Sequence, residues 1–236
     1  MATATTVLHV RGHTPSEVER ALDVIFAAED RPRTFRLEGT YSAVLKRLLD
    51  PSLEAPYQYL ICRPHPASEW NPLLELGNRT EGLDRELSRR LGGCAVVSLF
   101  NYGEVVSGYR VVANGIAVDQ YVSDPTYNLD ESAAPQVDPD ASGHPEKFAD
   151  LLPTGTAPAD FIRIVLRPGW WEEHEADLTG TITDDHDSDD LVDESDRMRC
   201  IGLALELWGP HEYPFWQDAD EIPDNIAGPA LAMAFQ

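Results

Sequence analysis

The chain has 236 residues, 42% of them hydrophobic, and a formal net charge of -23 from 41 acidic and 18 basic side chains. A chain of this length buries about 70–75% of its unfolded surface, which makes it a globular protein, and a surface this acidic repels nucleic acid and anionic lipid. No stretch approaches the roughly 20 apolar residues that cross a bilayer, and the start, MATATTVLHVRG, lacks the basic and apolar regions of a secretory signal, so the expected compartment is the cytoplasm.

Thr5 to Val10 is rich in β-branched and apolar residues and reads as a strand, with His9 between Leu8 and Val10. Thr14-Pro15-Ser16-Glu17 then supplies a helix cap, a proline for the first turn and a glutamate that can close a capping box. The helix that follows sets Val18, Ala21, Leu22, Ile25 and Phe26 on one face and should end near Glu29. A short strand around Phe35 to Leu37, a helix from about Ser42 to Leu49 stopped before Pro51, and a strand from Tyr57 to Arg63 come next. Trp70 to Leu76 reads as extended, and Leu83 to Leu91 as a helix ended by Gly92-Gly93. Three strands follow in quick succession, Cys94 to Phe100, Val105 to Val112 and Ile116 to Val122, the last two joined by Asn114-Gly115, a pair suited to a type I′ hairpin turn.

Residues 70–127 thus hold a Trp-led strand, a short helix, a buried strand and a hairpin ending in Val122-Ser123-Asp124-Pro125-Thr126-Tyr127. This stretch, about a quarter of the chain, resembles a pattern that recurs in an uncharacterised bacterial α/β protein family. The residues that carry the resemblance are turn and core residues rather than reactive ones. It implies a shared α/β scaffold and transfers no activity.

From Ser123 to Gly143 the composition of Asp, Pro, Ser and Ala reads as a long loop. His144 to Leu152 reads as a short helix with Phe148 and Leu151 inward, and Phe161 to Leu166 as an apolar, helical stretch ending at Pro168-Gly169. An acidic stretch passes into a helix from about Asp189 to Leu205, and the tail GPHEYPFWQDADEIPDN reads as an irregular aromatic cap. The fold class expected from these elements is α+β or mixed α/β, a central sheet including an antiparallel meander over about 94–122 with helices packed on it. One domain over 1–236 is expected, its charge boundary near Ser123 dividing a near-neutral α/β part (1–123) from an acidic, mostly helix-and-loop part (124–236).

That boundary is sharp. Residues 1–123 carry 15 acidic and 13 basic side chains, whereas residues 124–236 carry 26 and 5, a net of -21. Residues 172–196 hold 12 acidic side chains and no Lys or Arg. Only Lys46 and Lys147 are lysines, a bias that suits a GC-rich bacterial genome or a salt-loving host.

The usual catalytic signatures are missing from the sequence. It has no GxSxG, P-loop or GxGxxG element, and neither His174-Glu175 nor His211-Glu212 continues to the second histidine of HExxH, since Leu178 and Phe215 stand there. Asp185, Asp187 and Asp189 have the alternate spacing of a calcium loop, yet Asp190 occupies the glycine position and Asp196 the place of the bidentate glutamate. A solvated acidic loop is the simpler reading, and no cofactor is expected. Cys62, Cys94 and Cys200 form no CxxC and sit in or beside apolar segments, as buried thiols do.

The aromatic residues of the second half are more suggestive. Trp170 and Trp171 precede Glu172 and Glu173, and Tyr213, Phe215 and Trp216 lie beside Asp218 and Asp220. Aromatics anchor interfaces and carboxylates steer a basic partner, while core filling is the competing account. The function expected is a non-enzymatic cytoplasmic protein whose acidic, aromatic-containing face engages a basic protein, as an immunity protein does a nuclease toxin. Two alternatives are a metal-assisted hydrolase using His174, His186, His211 and carboxylates of the second half, and a structural protein whose acidity reflects its host.

Overall fold

The computed structural model describes residues 4–62, 68–78, 80–102, 106–123, 142–161, 201–202, 204–207 and 229–236. Eight strands are present: β1 (Ala4–Arg11), β2 (Arg33–Thr40), β3 (Tyr57–Ile61), β4 (Trp70–Glu75), β5 (Val96–Tyr102), β6 (Val106–Ala113), β7 (Ile116–Val122) and β8 (Pro229–Phe235). The helices are α1 (Pro15–Ala27), α2 (Tyr41–Leu48) and α3 (Leu83–Arg90), with a 3-10 helix over Pro145–Leu151. The strands form a single sheet in the order β2-β8-β3-β4-β1-β5-β6-β7. Every neighbouring pair is antiparallel, so the parallel pairing that a mixed α/β layout allows is not used among the described strands.

One line of residues crosses all eight strands: Leu37, Ala232, Leu60, Leu74, Val7, Leu99, Tyr109 and Tyr121 stand opposite one another in turn. Because side chains alternate along a strand, this register puts them all on one face, where they share a core with Tyr41, Val44, Leu45 and Leu48 of α2, and with Phe148 and Phe161. The opposite face carries Leu8, Val10, Tyr59, Ile61 and Leu73, packed with the apolar stripe of α1 and with Leu83 and Leu87 of α3.

Local chemistry accounts for the boundaries. Thr14 Oγ1 accepts a hydrogen bond from the Glu17 N–H at 3.3 Å, and the Glu17 carboxylate accepts from the Thr14 N–H at 2.8 Å, the reciprocal capping box that starts α1. Thr14→Ala is therefore expected to cost about 1 kcal/mol, read from a urea midpoint at unchanged slope. The β6–β7 turn places Asn114 and Gly115 at φ 53° and 71°, positive at both central positions as a type I′ turn requires.

Three elements differ from the sequence expectation. β2 runs from Arg33 to Thr40 rather than only Phe35 to Leu37, because Phe35, Leu37 and Gly39 turn inward while Arg36 and Glu38 face out, the alternation of a half-covered edge strand. The segment after His144 is a 3-10 helix with Phe148 at φ -132° inside it. β8 has no counterpart in the sequence reading. It sends Leu231, Met233 and Phe235 to the α1 side and Ala230 and Ala232 to the α2 side, and Phe235 stacks on Phe26 with centroids 4.2 Å apart. The sheet thus draws strands from both sides of Ser123. The expected loop over 124–141 and the expected helices over 162–200 lie outside the described residues.

Candidate functional site

Two concavities meet at His13, in the link between β1 and α1. A cavity of about 330 Å³ opens between the start of α1 and the β2–β8 edge, lined by His13, Thr14, Ser16, Glu19, Arg36 and Glu38 over Ile61, Ala230 and Leu231. Its charges are mutually engaged. Glu19 accepts from Arg36 Nε at 2.7 Å and from Arg33 at 2.7 Å, and the Arg36 hydrogen bond, with help from Arg33, holds the Glu19 carboxyl below the usual carboxylate range.

The second concavity is a groove of about 520 Å³ between α1 and α3, lined by His13, Glu17, Arg20, Ala21, Val24, Arg90, Leu91 and Gly92. The His13 ring bridges its upper end, with Nε2 3.0 Å from the Leu91 carbonyl and Nδ1 3.6 Å from the Glu17 carboxylate. Asn71 Nδ2 donates to the His13 carbonyl. This one residue therefore ties β4, α1 and α3 together.

Among the described residues Glu75, Asp84 and Asp119 are carboxylates buried elsewhere, and the last two join distant elements. Asp84, in the first turn of α3, has a side chain 1% exposed and accepts from Arg110 Nε of β6 at 2.6 Å, Ser98 Oγ of β5 at 3.3 Å and the Arg85 N–H at 2.8 Å. Asp119 of β7 accepts from the Tyr109 hydroxyl at 2.8 Å and from the His144 N–H at 2.8 and 2.9 Å, with Lys147 Nζ at 4.0 Å. It pins the 3-10 segment against the aromatic group of Tyr109, Tyr121, Phe148 and Phe161. Each buried charge is answered by donors, which is what lets it stay buried.

Ser142 Oγ lies 3.1 Å from His144 Nε2, and His144 Nδ1 lies 3.3 Å from Glu146 Oε1. The order is that of a nucleophile, a base and an orienting carboxylate. Ser142 and Glu146 are exposed, and the backbone N–H of His144 is committed to Asp119, so that N–H is not offered to an oxyanion. The thiols of Cys62 and Cys94, the cysteines among the described residues, are no better placed for nucleophilic work. Burial pushes Cys62 well up, and raises Cys94 to about 11, so both stay protonated at neutral pH.

The residues singled out from sequence fall elsewhere. Trp170, Trp171, Glu172, Glu173, Tyr213, Phe215, Trp216, Asp218 and Asp220, the acidic run Asp185, Asp187 and Asp189, and the histidines 174, 186 and 211 all lie outside the described residues. Among the described residues no group of three or more His, Cys, Asp or Glu is arranged to hold a metal ion, and no helix is long and apolar enough to cross a membrane. Sequence reasoning did not find the His13 groove, the Asp84 pair or the Asp119 latch. Each joins residues far apart in the chain, and only the capping box beside His13 left a local signal.

Comparison of the chain with protein-family models, with curated proteins and with solved structures finds no match.

Proposed function

We propose that this protein is a non-enzymatic binding protein whose acidic, aromatic-containing second half engages a basic protein partner, in the manner of an immunity or inhibitor protein. The observation that carries this reading is how differently charge is used in the two halves. On the described scaffold Arg11, Arg31, Arg33, Arg36, Arg47, Arg89 and Arg110 are each paired with a carboxylate. Residues 124–236 have 26 acidic and 5 basic side chains, so their carboxylates far outnumber the cations of the same segment. Charge of one sign in that excess steers a partner of the opposite sign and speeds encounter, and tryptophan and tyrosine among the acids supply anchoring area.

Charge reversal tests it. The protein is used as bait for host lysate at low salt and eluted by a salt step; a stoichiometric basic protein is expected, with an association rate that falls about tenfold or more when Glu172, Glu173, Asp218 and Asp220 are changed to Lys together. An association rate unchanged by these four substitutions rejects this face. An eluate without a basic protein rejects the reading and turns attention to the hydrolase alternative, for which metal content after chelator-free purification and the variants His174→Ala and His211→Ala are the direct assay.

A further inference from the structure

Three described arginines stand outside the pairing that engages the others: Arg20, Arg85 and Arg90 form no ion pair among the described residues. Two of these three, Arg20 on α1 and Arg90 at the end of α3, line the same groove. One carboxylate, Glu17, lines the groove with them and keeps its negative charge, which bears on Arg20, so the two arginines outweigh it by one charge. The Glu17 carboxylate is held by the Thr14 N–H and hydroxyl at 2.8 Å each, and the Leu91 carbonyl by His13. The lining also has an apolar part, Ala21, Leu91 and Val24, the last left 48% exposed. The volume of about 520 Å³ is that of a small-molecule site, in which a few charged groups fix orientation and an apolar wall takes the body.

We infer that the α1–α3 groove binds a small organic monophosphate, its phosphate between Arg20 and Arg90 and its apolar portion against Val24, Ala21 and Leu91. The argument for a phosphate is its double charge and its oxygens, which two planar guanidinium forks can grip bidentately. In a protein of net charge -23, repulsion from the whole surface works against any anion at long range, so binding depends on these short contacts. The inference uses residues other than those of the proposed acidic interface, and either can fail without the other.

Phenyl phosphate is the probe, titrated into the full chain and followed by amide chemical shifts and by calorimetry, with inorganic phosphate in parallel. Saturable binding is expected with shifts centred on residues 13–24 and 89–92, and at least fivefold weaker for inorganic phosphate, which lacks the apolar body. Arg20→Gln and Arg90→Gln should each weaken it tenfold or more, with unchanged melting temperatures because both side chains are exposed on helices. Arg85→Gln removes the third unpaired arginine, which does not line the groove, and should leave affinity within twofold. Absence of saturable binding, equal affinity for the two probes, or an equal loss in Arg85→Gln overturns the inference.

Discussion

Raised from pH 8 to pH 12, the protein is expected to lose its sheet cooperatively, with the steep part of the loss beginning near pH 10. Tyr41, Tyr59 and Tyr109 are buried, and in each the hydroxyl is pushed well above the ordinary tyrosine value, first by burial and then, for Tyr59 and Tyr109, by the adjacent charges of Glu75 and Asp119. A group whose folded value is raised contributes its full stability below its unfolded value and loses it as pH climbs toward the folded one. For tyrosine that window opens near pH 10, and for Cys62, raised by burial, near 8.5. Each proton retained only by the folded state costs about 1.4 kcal/mol per pH unit. Three tyrosines together remove about 4 kcal/mol per unit above pH 10, against a typical total of about 5–15 kcal/mol. Tyrosinate absorbance at 295 nm and far-UV circular dichroism should therefore change together for these side chains. Ionisation of all three near pH 10 with the sheet intact would refute the account. Tyr109→Phe should flatten the alkaline slope by about one proton's share, near 1.4 kcal/mol per unit.

Removal of one partner from the Asp84–Arg110 pair is the second large effect. Arg110→Ala is expected to destabilise by about 3–5 kcal/mol, because it strands a charge in the interior rather than merely deleting an attraction. The Asp84 side chain is 1% exposed against 22% for Arg110, and its remaining donors, the Ser98 hydroxyl and the Arg85 N–H, are both neutral. The double variant Asp84→Ala with Arg110→Ala should lose distinctly less than the two single losses added, since neither charge is then abandoned. Urea unfolding of the four proteins measures this coupling. A single-variant loss under 1 kcal/mol would show that water reaches Asp84 and that the pair behaves as a surface one.

What the sequence revealed was whatever short-range chemistry encodes. The capping box at Thr14 and Glu17 and the Asn114-Gly115 turn are written in four and two residues, and both form as read. β8 escaped because Ala230, Ala232 and Ala234 are poor strand formers; the strand alternates large with small rather than apolar with polar, and its place is decided by the room α2 needs above Ala230 and Ala232. Asp84 sits in Leu-Asp-Arg-Glu-Leu-Ser-Arg-Arg, which looks like any solvated helix surface. Its role appears only when Arg110, 26 residues on, is brought to it. The groove between α1 and α3 was hidden for the same reason, since sequence counts arginines but does not say which find partners. The residues favoured for partner binding stood out by composition, a signal that marks a region without giving its geometry.

The position of β8 also has a history. β2 is hydrogen-bonded to β8 and to no other described strand, and Thr34 and Ala234, which touch across that seam, are 200 residues apart. On the ribosome β2 and β3 emerge early, while the strand that joins them is made far later. At about 5–20 residues per second, the nascent chain spends some ten seconds or more with the flank of β3 open. An uncovered strand edge is a template for pairing with other chains, so this is the interval in which chaperone protection matters most.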